Sequence, residues 1–539
     1  MECVLEQWKR LLRVRATDNV EVKTAKERII ALETNLATSI APDPSDEAKF
    51  KAWAKEMSNC EGELAGLQRK IADSENLVAW FDALPHLTPK DVIEALPTDV
   101  AVVQFFRYSS IEQDDPGIGS ERYGALIFSK KKGLIGRRLS DPLVLDSSID
   151  HFRRSIQNRS EDLALKFANL LNKAFWRPII EDLDKDVHGV IICPTHRLSF
   201  LPFSMLADES GEFPIQHYDV GYCGSIRCLM RAEQPSPCVG TGYSGVFVSD
   251  YDQVKARNPV NTQLLFENEA NVTPFIDIRD IGAATFPDLR GVETEASSVR
   301  NLMKELGIPE LAWHAGHVDK NLLSSLFDAH SRVIFFSGHS FVMPRLGIAK
   351  RTLLEDSEVI EMRRQLPFAQ ECLVLSKGPS TLQAIASGTS LSAENNGLVS
   401  AMEIANTDLS AVSLAIINSC HSLASADEHG LSSLASANLS NFRTAIEIAG
   451  VQNTLMTVLP IVDSNLETEP GKMACDMVRR ILSKEAQQAP WRLTSKVQRE
   501  YAAHLIQSEG YLEAMQTVAP YVCYGSDRSM LCAMSAGNH

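Results

Sequence analysis

One thiol and one imidazole each follow a strand-like apolar stretch of this sequence. His339 follows the stretch 332–336, and Cys420 follows the stretch 412–417. In an open α/β sheet, functional side chains gather at the carboxyl ends of the strands. A thiolate is a strong nucleophile, and a nearby imidazole can accept the thiol proton and later protonate a leaving amine. The pattern therefore predicts a Cys420–His339 pair for nucleophilic catalysis.

The alternative is a buried cysteine and a structural histidine that meet no substrate. The chain has 11 cysteines and 13 histidines, so some pair of this kind is expected by chance. The cysteines are scattered and none lies in a CxxC pair, which indicates neither a disulfide framework nor a zinc ribbon. We therefore expect reduced thiols, no metal site and no cofactor.

Strand and helix patterns alternate from about residue 85 onward. Apolar runs at 99–106, 189–194, 245–248 and 453–460 predict strands, in addition to the two that precede His339 and Cys420. Helices are expected near 150–177 and 293–306. This alternation predicts an α/β fold with a mostly parallel sheet that is covered by helices on both faces.

The first 84 residues have a different pattern. Apolar residues recur at steps of three and four in 22–36 and again in 50–78, and a proline-containing turn separates the two runs. This spacing predicts an antiparallel helical hairpin or coiled-coil arm over residues 1–84. The arm either packs on the rest of the chain or serves as a docking and regulatory element.

Composition excludes several classes of function. The 539 residues are 44% hydrophobic and carry a net charge of −16, which argues against nucleic acid or an anionic membrane surface as a direct partner. No run of 18 apolar residues predicts a membrane span, and the N-terminus lacks the apolar core of a secretory signal. We expect a cytoplasmic protein.

The segments around the two candidate catalytic residues resemble those of caspase-like (clan CD) cysteine peptidases. The residues 337–339 read Ser-Gly-His and the residues 418–422 read Asn-Ser-Cys-His-Ser, which is locally similar to metacaspases. The order of four further segments, 192–203, 289–295, 401–410 and 449–463, resembles the CHAT-domain family, whose members are often fused to TPR helices. The resemblance covers roughly residues 85–530.

This resemblance implies a fold and a role for each matching residue. Residues 85–235 would form a catalytically empty α/β half, and residues 236–539 a caspase-like catalytic half. Cys420 would attack the scissile carbonyl, with His339 as general base and acid. Backbone N–H groups of Cys420 and Ser340 would hold the oxyanion. The sequence departs from the family at Ser340, where glycine is usual, and at His421, where glutamate is common.

The substrate pocket is less clearly marked. Metacaspases have aspartate two residues before the nucleophile, where it pairs with a basic substrate side chain; this chain has Asn418 there. A neutral amide can donate or accept a hydrogen bond but forms no ion pair. Asp250, which follows the predicted strand 245–248, is either the missing charge or an ordinary turn residue.

These expectations lead to a cytosolic caspase-like cysteine endopeptidase that cleaves a protein substrate. The family implies latency until a regulatory protein partner or another signal acts, often in defence or cell death. The segment 341–395 is a candidate site of self-cleavage because it separates the two catalytic strands. The alternative is an inactive CHAT-fold scaffold for protein–protein interaction, favoured by Ser340 and His421. A non-peptidase hydrolase or acyltransferase with the same dyad is chemically possible.

Overall fold

The protein is described here from a computed structural model. The described residues are 24–25, 28–29, 31–32, 47–74, 88–112, 115–226, 229, 240–252, 260–261, 284–286, 288–328, 330–342, 371–386, 396–419, 442–459, 469–483 and 488–525.

The strands in these ranges are numbered in chain order. They are β1 Val100–Glu112, β2 Asp115–Ser129, β3 Gly133–Arg138, β4 Gly189–Cys193, β5 Asp219–Tyr222, β6 Thr241–Val248, β7 Val260–Asn261, β8 Ala284–Thr285, β9 Glu310–Gly316, β10 Ser331–Ser337, β11 Ser340–Val342, β12 Glu371–Val374, β13 Leu398–Ser400, β14 Leu414–Asn418, β15 Asn453–Thr457 and β16 Tyr521–Tyr524.

The helices are numbered in the same way. They are α1 Glu47–Ser74, α2 Pro89–Ala95, α3 Pro142–Gln157, α4 Glu161–Leu171, α5 Arg177–Ile180, α6 Pro214–His217, α7 Arg290–Glu305, α8 Lys320–Asp328, α9 Gly378–Ala386, α10 Ala401–Asn406, α11 Phe442–Ala449, α12 Glu469–Leu482, α13 Pro490–Ser508 and α14 Tyr511–Val518. None of the helices in the described ranges has the length and hydropathy needed to cross a bilayer.

A large sheet organises the molecule. Eleven strands follow the order β3-β2-β1-β4-β5-β16-β15-β14-β10-β6-β9. The pairs β2–β3, β1–β2 and β15–β16 are antiparallel, and the other neighbours in this sheet run parallel. The central strands β4, β5 and β15 are buried along their whole length, as expected where helices cover both faces. The predicted α/β fold with a mostly parallel sheet is confirmed.

The C-terminal strand joins the two halves of this sheet. Tyr524 of β16 pairs with Tyr222 of β5 on one side, and β16 runs antiparallel to β15 on the other. Helix α13 packs beneath the first half: the Ser495 hydroxyl donates to the carbonyl of Val220 over 3.0 Å. Segments of residues 488–525 therefore pack against strands from both halves. The boundary at residue 236 remains a prediction.

The helical stretch expected near 150–177 is helical in the structure but is divided into more than one helix. The structure has two helices there, α3 and α4, because the chain turns sharply between them. Arg159 adopts a left-handed conformation with φ of 56°, which ends the first helix. Ser160 is then the N-cap residue of α4. A short π-helical turn at Asn172–Trp176 continues from α4 towards α5.

The described part of the N-terminal region is helical. The Arg28 guanidinium pairs with the Glu63 carboxylate on α1, with Nε and Oε1 2.7 Å apart. Six apolar side chains of this region are buried: Ala25, Ile29, Leu32, Trp53, Met57 and Leu64. They come from both predicted helical runs. The helical hairpin or coiled-coil arm over residues 1–84 remains a prediction.

Candidate active site

The ends of β10 and β14 lie side by side in the sheet. The two strands are parallel, and Ser337 pairs in register with Asn418. The Gly338 N–H donates to the Asn418 carbonyl over 3.3 Å, which extends the contact past the strand ends. His339 lies two residues beyond Ser337. Cys420 is likewise two residues beyond Asn418 along the sequence, but it lies outside the described residues, which stop at Ser419 at this point.

The backbone of His339 is held from two sides. Its N–H donates to the Tyr251 hydroxyl over 2.9 Å. Its carbonyl accepts the N–H of Val374 over 2.9 Å. Val374 belongs to β12 and Tyr251 follows β6, so two separate elements fix the turn that carries the imidazole.

The imidazole of His339 packs against two aromatic rings. Its ring centroid lies 4.9 Å from that of Tyr251 and 5.4 Å from that of Phe286. The Tyr251 hydroxyl also donates to the Val248 carbonyl over 3.2 Å, so the tyrosine is itself anchored. A Cβ atom on Gly338 would lie 3.1 Å from that hydroxyl, a tight contact that glycine avoids.

The predicted oxyanion residue Ser340 begins strand β11. It pairs antiparallel with Leu373 of β12, and β13 completes a small three-stranded sheet beside the site. This sheet fixes the direction of the chain directly after His339. The second predicted oxyanion group, the N–H of Cys420, is outside the described residues. The oxyanion assignment stays a prediction.

A carboxylate that was not among the predicted site residues lies between the ends of β10 and β14. Glu295, on α7, accepts the Asn418 side-chain N–H over 2.9 Å through Oε1. It accepts the Ser337 hydroxyl over 2.7 Å through Oε2. Glu295 belongs to a segment that carries the family resemblance, but no spacing in the sequence indicated its contacts.

The two predicted pocket residues flank β10 on opposite sides. Asn418 ends β14, is half-buried and donates to Glu295. Asp250 is exposed and follows the end of β6, which pairs with β10 on its other side. Both residues are therefore at the same edge of the sheet as His339. Their role in binding a substrate stays a prediction.

Several described cysteines sit in surroundings that favour the protonated thiol. Burial, followed by the charge of Glu295, raises the pKa of Cys475 to about 11. Burial raises the pKa of Cys523 to about 12. The Cys193 and Cys223 sulfur atoms lie 2.8 Å apart in the first half, and their hydrogen bond, together with burial, raises the pKa of Cys223 well above its usual range. These surroundings make the thiols of Cys475, Cys523 and Cys223 poor nucleophiles at neutral pH.

Within the ranges given above, no group of three or more histidine, cysteine, aspartate or glutamate side chains is arranged to hold a metal ion.

Comparison with known proteins identifies the family of the chain. The sequence profile of the CHAT domain matches residues 165–467. A comparison with curated proteins gives no match. The matched segment includes β4 through β15 and therefore contains both strand ends of the candidate site. Because it covers more than half of the 539 residues, the chain belongs to the CHAT domain family, which is related to the caspase-like peptidases.

Proposed function

We propose that the protein is a caspase-like cysteine endopeptidase that acts in the cytoplasm through Cys420 and His339. One observation carries the proposal: β10 and β14 are adjacent parallel strands with Ser337 opposite Asn418. His339 and Cys420 follow these paired residues by the same two positions. Side chains at such equivalent positions emerge at one edge of the sheet, where a thiol and an imidazole can exchange a proton.

The reaction follows from the chemistry of the two groups. His339 takes the thiol proton, and the sulfur of Cys420 forms a bond to the scissile carbonyl carbon. The tetrahedral oxyanion is held by the backbone N–H groups of Cys420 and Ser340. The imidazolium then protonates the departing amine, which leaves a thioester. Water attacks this thioester as His339 accepts its proton, and the carboxylate product and the free thiol are released.

A basic residue at the substrate position before the cleaved bond fits the charges around the site. Glu295 places a carboxylate against Asn418, and Asp250 adds an exposed acid at the same sheet edge. A lysine or arginine side chain is attracted by such groups. We therefore expect cleavage after basic residues to exceed cleavage after acidic ones.

Regulation by a protein partner is part of the proposal. The N-terminal helical arm has its own buried apolar seam and is the segment that we expect such a partner to contact. In this account, the arm restrains the peptidase until the partner or another signal acts.

The proposal is tested with the purified full-length chain and a library of peptides that vary the residue before the cleaved bond. Cleavage should be read by mass spectrometry, before and after limited proteolysis, in the wild type and in Cys420→Ala and His339→Ala. We expect cleavage by the wild type, and loss of at least about 1,000-fold in either variant, because the two groups act as a unit.

A matched control separates catalysis from folding. Cys523→Ala removes a buried thiol in β16 and leaves Cys420 and His339 unchanged. Its activity should equal that of the wild type. Absence of cleavage under every condition, with Cys420 no more reactive than a free cysteine, would favour the inactive scaffold, for which Ser340 in place of glycine is the supporting observation. Hydrolysis of small esters without cleavage of peptides would instead indicate a non-peptidase hydrolase.

A further inference from the structure

We propose that Glu295 is a positioning residue that sets the distance between the nucleophile and its base. This inference rests on the proposed function, because it assigns to Glu295 a role in aligning Cys420 with His339. The side chain bridges the two strands that carry these residues. In this assignment it acts through the ends of these strands.

The bridge consists of two hydrogen bonds, one from each of two residues that lie opposite each other in the parallel strands β10 and β14. Oε1 of Glu295 accepts from the Asn418 amide over 2.9 Å, and Oε2 accepts from the Ser337 hydroxyl over 2.7 Å. Ser337 and Asn418 lie directly opposite each other in the parallel ladder. Each is the residue two positions before a proposed catalytic group. One carboxylate therefore holds the last paired residues of both strands together.

The helix that carries Glu295 is itself firmly packed. Val292, Ala296 and Val299 of α7 are buried, and the helix contacts β6, which is the next strand of the same sheet. Glu295 lies between Val292 and Ala296 in sequence and is half-buried. The carboxylate is therefore held at a fixed place relative to β10 and β14, as a positioning group requires.

A carboxylate suits this place better than a neutral group of similar shape. An ionised carboxylate is an acceptor only, and it can accept from two donors at once through its two oxygens. Hydrogen bonds to an ionised acceptor are stronger than those between neutral groups. A glutamine here could still accept from Asn418 and donate to the Ser337 oxygen, but both bonds would be neutral. Alanine would remove the bridge completely.

The expected consequence is a misaligned proton transfer. Nucleophile and base must lie within hydrogen-bond reach of each other, and a displacement of about 1 Å can cost about 100-fold in rate. Loss of the bridge lets the ends of β10 and β14 separate while the remaining ladder stays paired. The thiol of Cys420 then loses part of its activation by His339, and its pKa rises towards that of a free cysteine.

The test measures the alkylation rate of Cys420 by iodoacetamide as a function of pH, resolved by mass spectrometry of the peptide, in full-length protein. The variants are Glu295→Ala, Glu295→Gln and Ser337→Ala. In Glu295→Ala we expect the alkylation rate of Cys420 at neutral pH to fall about 100-fold. The inflection of its pH profile should move towards about 8.5. The alkylation rates of Cys420 in Glu295→Gln and in Ser337→Ala should lie between those of Glu295→Ala and the wild type. The double variant Ser337→Ala/Glu295→Ala should be no slower than Glu295→Ala, because both changes break one bridge.

The matched control is Glu305→Ala on the same helix. Glu305 is exposed and pairs with Arg479 over 3.5 Å, so the substitution removes the same charge without touching either strand. Wild-type alkylation in Glu295→Ala, or an equal loss in Glu305→Ala, would overturn the positioning role while leaving the proposed dyad intact. A wild-type profile that is identical to that of His339→Ala would instead overturn the dyad, and the positioning role with it. If Glu295→Ala does not fold, Glu295→Gln and Ser337→Ala decide the question.

Discussion

At the scale of single residues, the proposed catalysis depends on how firmly His339 is held. Its backbone bonds to Tyr251 and Val374, and its ring packs on Tyr251 and Phe286. A catalytic group that is already held in place lowers the entropic cost of reaching the transition state. Tyr251 contributes twice, since its hydroxyl also donates to the Val248 carbonyl.

Tyr251→Phe tests this contribution. The substitution keeps the ring contact but leaves the His339 N–H and the Val248 carbonyl without their hydroxyl partner. We expect a loss of about 1–3 kcal/mol in the free energy of unfolding, measured with urea, together with a reduced alkylation rate of Cys420.

The control for this variant is Tyr243→Phe. Tyr243 donates to Glu310 over 2.9 Å near the opposite end of β6, so it loses a comparable hydrogen bond far from His339. It should lose stability without any change in Cys420 reactivity. Equal effects of the two variants on reactivity would contradict the role given to Tyr251.

At the scale of elements, the segment after the proposed nucleophile is tied to the centre of the sheet. Helix α11 contains Arg443, which is buried, and its guanidinium lies 5.0 Å above the ring of Tyr524 in β16. It also pairs with Glu447 on the same helix over 3.8 Å, and Glu447 accepts the Gly224 N–H of the first half over 3.1 Å. Helix α11 therefore contacts both the chain after β5 and the last strand, β16.

Arg443→Leu should destabilise the protein strongly. Removal of one partner leaves the Glu447 carboxylate without its charge partner in a mostly buried place, which typically costs about 3–5 kcal/mol. The comparison is Arg480→Leu, which removes an exposed pair with Glu500, held at 2.9 Å. That change should cost less than about 1 kcal/mol in the same urea titration. Similar losses of unfolding free energy in the two variants would show that Arg443 contributes no more to stability than an exposed ion pair does.

Elements were largely predictable from the sequence, and contacts between them were not. The strands before His339 and Cys420 were evident because continuous apolar runs are typical of strands buried on both faces. Glu295 and Tyr251 were missed as site residues because their partners lie on other strands, a relation that no local spacing encodes. The break at Arg159 was missed because a left-handed arginine has no distinctive sequence signal. The position of Cys420 is outside the described residues, so the dyad itself remains a prediction.

At the scale of the whole molecule, a single sheet of eleven strands extends from β3 to β9. A titrating histidine beside this sheet makes the stability of the protein depend on pH. His196 follows β4 and is half-buried. Burial, and to a smaller extent the charge of Arg107, lower its pKa from 6.5 to about 4. The unfolded chain therefore binds a proton at a higher pH than the folded protein does.

This difference fixes the sign of a pH effect on stability. The contribution of His196 to the free energy of unfolding is fully present above about pH 6.5. It is lost as the pH falls towards about 4, which lowers the free energy of unfolding by up to about 3 kcal/mol. His196→Asn should flatten the pH dependence of the unfolding free energy in this window. Asparagine is the appropriate replacement because His196 has a φ of 50°, a conformation that asparagine tolerates. An unchanged slope in the variant would contradict the assignment.

The most direct test of the central claim is the pH dependence of Cys420 alkylation in the wild type and in His339→Ala. The buried cysteines, such as Cys193 and Cys523, serve as slow internal references in the same digest. We predict that the wild-type thiol reacts with an inflection well below about 8.5 and that the inflection returns to about 8.5 without the imidazole. Identical profiles for the two proteins would contradict the Cys420–His339 dyad.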